Sequence, residues 1–143
     1  MIIKTSINVK FDSLDTSIVR DYFATSAHTR LLYGVLSGIL SQNTINSHIA
    51  YGAYGSGKSY ISSIICGILS KAYNKNEYAI LKSKFGLVDE RLIKLIDNFN
   101  KEERKYIPVI LNGEVENVNQ NIITQLWGRL QDYGIHIPIP GLI

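Results

Sequence analysis

Residues 52–59 read Gly52-Ala53-Tyr54-Gly55-Ser56-Gly57-Lys58-Ser59, a full match to the phosphate-binding loop pattern G-x-x-x-x-G-K-[ST]. Each residue type has a physical reason to stand where it does. The glycines let the backbone fold tightly, so that successive N–H groups converge on an anion. The lysine reaches the outer phosphates, and the serine hydroxyl completes the coordination of Mg²⁺. A working loop of this kind leaves a buried strand and enters a helix. Ahead of it, Ser47-His48-Ile49-Ala50-Tyr51 is short and apolar enough for a strand. Behind it, Ile61, Ile64, Ile65, Ile68, Leu69 and Ala72 recur at helical spacing from Ser59 to about Tyr73.

Outward from the loop, other segments follow the same logic. Ile3, Thr5, Ile7, Val9 and Phe11 alternate, as in a strand or extended arm. Ile18 to Phe23 is a short segment of undecided type. Ser26 is a plausible N-cap for a helix to Gln42, with Leu31, Leu32, Val35, Leu36, Ile39 and Leu40 on its apolar side. Gly34 and Gly38 within it suit close approach of a neighbour. Asn74-Lys75-Asn76 marks a loop, and Val88 to Phe99 a further amphipathic helix with Asp89 and Glu90 in its first turn. Tyr106 to Asn112 is a continuous apolar run of the kind buried in parallel sheets, and Pro108 near its start is tolerated. Asn117 can cap a last helix carrying Val118, Ile122, Ile123, Leu126, Trp127 and Leu130, closed by Gly134. Strands alternating with helices predict an α/β domain: a three-layer arrangement with a parallel sheet flanked by helices, its core incomplete. The expected division is an arm over 1–25 and a nucleotide-binding domain over 26–143.

Composition narrows the class. The chain has 143 residues, 45% of them hydrophobic and 19% charged, which describes a folded globular protein. The net charge of +3 is mild, and its densest lysines, Lys82 and Lys84, amount to no nucleic-acid footprint. A single cysteine, Cys66, excludes an internal disulfide framework and suits a reducing cytoplasm; its apolar neighbours give it a packing role. No stretch of about twenty apolar residues suggests a membrane span.

The loop therefore predicts ATP or ADP with Mg²⁺ as ligand. Backbone N–H groups from Tyr54 through Gly55, Ser56, Gly57 and Lys58 to Ser59 surround the β-phosphate, and the N–H of Tyr60 reaches the α-phosphate. Gly52 opens the cradle, and the Tyr54 ring either covers it or packs on a neighbour. Lys58 is the catalytic candidate, neutralising charge between the β- and γ-phosphates. Ser59 is the metal ligand. Hydrolysis also needs a second carboxylate at the end of a neighbouring strand. Asn112 stands where that acid belongs, and Glu114 and Glu116 come late; a solvated turn is the preferred reading of that stretch.

In its order of elements the chain resembles the front half of a P-loop ATPase of the additional-strand group, which includes the AAA+ and STAND ATPases. The resemblance implies an ATP-binding segment whose hydrolysis depends on a Walker B strand beyond these residues, on self-association or on partner subunits. It also points to Ile18, Val19 or Tyr22 beside the adenine, against which stands ordinary core packing. The Tyr-Gly-Ser-Gly-Lys-Ser core and Tyr22-Phe23-x-Thr25 are similar to large bacterial ATPases of phage-defence and DNA-restriction loci. That likeness implies the amino-terminal part of a longer protein, with DNA involved only indirectly. Two alternatives stand beside it: a small complete kinase or NTPase using Glu114, and a non-catalytic, nucleotide-gated scaffold module.

Overall fold

Among the described residues, helices carry most of the buried apolar side chains. In the computed structural model, residues 15–41, 46–111 and 117–138 are described. They form α1 (Ile18–Asp21), α2 (Ser26–Leu40), α3 (Lys58–Leu69), α4 (Lys75–Gly86), α5 (Arg91–Lys101) and α6 (Val118–Asp132). Among the described residues there is no strand. The expected α/β fold, a parallel sheet flanked by helices, is therefore corrected to an all-helical one.

The physical reason lies in what the apolar faces meet. Leu32 and Leu36 of α2, Ile61, Ile64 and Ile68 of α3, Leu81 and Phe85 of α4, and Leu92, Ile96 and Phe99 of α5 are almost fully buried. Helix α2 packs on α5, α4 packs on α5, and α1 packs on α3 and α4. Within the unit that ends at Lys105 these helical stripes bury one another rather than the face of a sheet. Of the three segments read as strands, 47–51 and 106–111 fall among the described residues, and neither forms one. Ile49 and Tyr51 are 89% and 93% exposed, and Tyr106–Leu111 has no ladder partner among the described residues. A short apolar run does not by itself specify a strand, because its backbone still needs a ladder to pair with.

Local chemistry sets the helix boundaries. Thr25, not Ser26, caps α2: its hydroxyl accepts from the His28 N–H at 3.2 Å. Cβ atoms at Gly34 and Gly38 would lie 3.1 Å from His48 Cε1 and 2.5 Å from Asn46 Oδ1, so these glycines admit the chain entering the loop. Helix α3 begins at Lys58 and ends at Leu69, short of Tyr73, where Lys71 turns to φ +52°. The Lys71 ammonium donates to the Asn100 and Glu102 carbonyls behind α5. Helix α4 begins within the stretch Asn74–Asn76 expected to be a loop and runs on through residues to which the sequence assigns no element. Asn74 forms a full capping box with Glu77 there, accepting from the Asn76 and Glu77 N–H groups while its own N–H donates to Glu77.

Lys82 and Lys84, the densest lysines, both serve the fold. Lys82 pairs with Asp97 at 2.8 Å. Lys84 donates to the carbonyls of Val19, Arg20 and Tyr22 at 3.0, 2.5 and 2.7 Å, closing the carboxyl end of α1. Cys66 is half-buried. The segment at Ile18 begins as a helical turn, and Ile18, Val19 and Tyr22 are core residues at 2% exposure or less.

The chain divides into two compact units between Lys105 and Tyr106. In the second, Asn117 caps α6 by accepting from the Gln120 N–H at 3.1 Å, and Gly134 closes it at φ +70°. Val118, Ile122, Ile123, Leu126 and Trp127 stay between 39% and 58% exposed. The alternating stretch Ile3–Phe11 and the candidate acids Glu114 and Glu116, with Asn112, lie outside the described residues.

Candidate phosphate-binding loop

The loop at 52–59 is built from one turn, two left-handed glycines and a helix start. The Ser56 N–H donates to the Ala53 carbonyl at 3.2 Å, closing a four-residue turn through Tyr54 and Gly55. Gly55 takes φ +79°, the sign a type II turn needs at its third residue. Gly57 takes φ +80° and ψ 14° and is the N-cap of α3, with no side-chain cap. A helix begun this way directs its first-turn N–H groups and the positive end of its dipole at the loop.

Lys58 is the first residue of α3, and its side chain turns back over the loop. Its Nζ donates to the Gly52 carbonyl at 2.8 Å, the Ala53 carbonyl at 2.7 Å and Ser56 Oγ at 3.2 Å. The ammonium thereby ties the start of the loop to its end and stands beside the turn. Ser59 is exposed in the first helical turn. Tyr60 donates its hydroxyl to the Ile18 carbonyl at 3.2 Å, and its ring lies 5.6 Å from Tyr22, so its side chain is structural. Tyr54 is fully exposed; its ring neither covers the loop nor packs on a neighbour.

Sequence reasoning missed His28. This side chain is 8% exposed and sits between the loop and the core. Its Nε2 lies 3.3 Å from the Ser56 carbonyl and its Nδ1 lies 2.9 Å from the Tyr22 hydroxyl. The ring stacks on Tyr22 at 5.7 Å. Burial pushes the Tyr22 phenol well above the ordinary tyrosine range, with a smaller contribution from Tyr73, so Tyr22 keeps its proton. No local pattern announces His28: its loop partner is 28 residues away.

A cavity of about 480 Å³ opens beside the loop between α2 and Ile49–Gly52, with Arg30 and Lys58 as its cationic lining. Among the described residues no group of three or more His, Cys, Asp or Glu side chains forms a metal site. None of the described helices is long and apolar enough to cross a membrane. No protein-family model matches this chain, and neither a curated protein nor a solved structure matches it.

Proposed function

We propose that residues 52–59 bind the polyphosphate of ATP or ADP together with Mg²⁺. The observation that carries this reading is the position of Lys58. It opens a helix after a left-handed Gly57, and its ammonium folds back across the loop it follows. An anion at this loop would meet backbone N–H groups, a helix dipole and a fixed positive charge at once. Ser59 would supply the protein's ligand to Mg²⁺, the phosphates and water providing the rest. In this reading Lys58 stabilises charge on the outer phosphates, and hydrolysis waits on a carboxylate from elsewhere, contributed by further sequence or a partner subunit. The likeness to AAA+ and STAND ATPases rests on the loop motif alone and is proposed on that footing.

Calorimetric titration with Mg·ATP tests it. The wild-type chain gives saturable, equimolar binding with little phosphate release. Lys58→Ala weakens binding by about 10- to 100-fold, since hydrogen bonds from a charged group contribute about 1.5–3 kcal/mol. Ser59→Ala removes the difference between titrations with Mg²⁺ and with a chelator. A wild-type chain that takes up no nucleotide, or a Lys58→Ala chain that binds unchanged, overturns the proposal.

A further inference from the structure

We infer that His28 is a positioning residue for the loop, setting the Ser56–Gly57 peptide so that the Gly57 N–H is held ready for an anion; this rests on the polyphosphate reading of residues 52–59. A carbonyl oxygen only accepts, so the 3.3 Å contact to Ser56 requires the proton on His28 Nε2. In a neutral imidazole that leaves Nδ1 bare, to accept from the Tyr22 hydroxyl at 2.9 Å. For the neutral imidazole the carbonyl contact therefore assigns the Nε2–H tautomer, and the Tyr22 hydroxyl is placed to complement it.

The consequence for the loop follows from peptide geometry. In a planar trans peptide the C=O and the following N–H point in opposite directions. With the Ser56 carbonyl drawn towards His28, the Gly57 N–H is turned away from α2. The same imidazole also occupies the space a Gly57 side chain would need: a Cβ there would lie 2.9 Å from Cε1 and 3.0 Å from Nε2. His28 itself is fixed from behind. Tyr22 is 1% exposed, and its carbonyl accepts from Lys84 at 2.7 Å. The loop is thus registered to the core through Lys84, Tyr22, His28 and Ser56, so peptide flips that would lose the amide are opposed before ligand arrives.

The test compares His28→Phe, which keeps a ring on Tyr22 but has no donor, with His28→Gln, whose amide can donate near the Nε2 position. Binding of Mg·ADP is measured by calorimetry, and the Gly57 amide is followed by NMR. The Ser56 contact is long for a hydrogen bond, so His28→Phe weakens binding by about fivefold and His28→Gln recovers most of it. The Gly57 amide resonance moves in the Phe variant and returns in the Gln variant. Imidazole nitrogen shifts of the wild-type chain, which need no variant to fold, show Nε2 protonated and Nδ1 bare. The opposite tautomer overturns the inference. Wild-type affinity in His28→Phe, with the wild-type chain binding normally, also overturns it while leaving the polyphosphate reading standing. A wild-type chain that binds no Mg·ADP overturns that reading and this inference with it.

Discussion

Replacing Gly57 with alanine probes the loop's backbone and its support together. Gly57 sits at φ +80°, where a side chain costs about 1–2 kcal/mol in its own right. Its new Cβ would also lie 2.9 Å from His28 Cε1. His28 cannot easily give way, because its two ring nitrogens are held by Tyr22 and Ser56. Overpacking at such a site costs about 1–3 kcal/mol more. Gly55 is the internal control: its φ is +79°, but a Cβ there meets nothing within 4 Å. Gly55→Ala should therefore cost only the conformational part, and Gly57→Ala about 2–5 kcal/mol in all. Equilibrium urea unfolding measures both, and thermal melts should separate the two variants by about 4 °C per kcal/mol. In a His28→Ala background the extra cost of Gly57→Ala disappears, leaving a coupling of about 1–3 kcal/mol. Equal destabilisation by the two glycine variants, or no coupling to His28, would refute the packing argument.

Two further outcomes concern the fold around the loop. Burial holds the Tyr22 and Tyr73 phenols well above the ordinary range and pushes Tyr78 up to about 12. The folded chain thus keeps protons that the unfolded chain releases, so this stability is complete below about pH 10 and is lost as pH rises through the folded values; urea midpoints should fall on that alkaline side, less steeply in Tyr22→Phe, and a flat profile from pH 9 to 12 would contradict it. Lys84→Met keeps the apolar stem but strips three carbonyls at the end of α1 of their donor, and should lower stability by about 1–3 kcal/mol in urea unfolding, whereas a change within about 0.5 kcal/mol would show that water replaces the ammonium without loss.

The helices were legible where apolar spacing was dense. Leu32 and Leu36, then Ile61, Ile64 and Ile68, then Leu92, Ile96 and Phe99 announce α2, α3 and α5, and each set is buried. Helix α4 was not legible by that route, because only Leu81 and Phe85 are buried among polar neighbours. Its signal was the Asn74–Glu77 capping box, a start signal with no dense stripe behind it. The expected sheet rests on Ser47–Tyr51 and Tyr106–Asn112 and fails because apolar character alone does not say what backbone will pair with a segment. At the loop, the helix expected from Ser59 begins one residue earlier, at Lys58, a near match because a helix start depends on neighbours in the chain. His28 and Tyr22 escaped notice as supports because their part depends on a contact across tertiary structure.

The central proposal is that amides from Tyr54 to Ser59 converge on a polyphosphate with the Lys58 ammonium beside them. Its most direct measurement is an amide NMR titration of the wild-type chain with magnesium pyrophosphate. The account predicts large, saturable shifts confined to residues 54–60, absent in Lys58→Ala. Small shifts scattered over the surface, or the same response in Lys58→Ala, would contradict it.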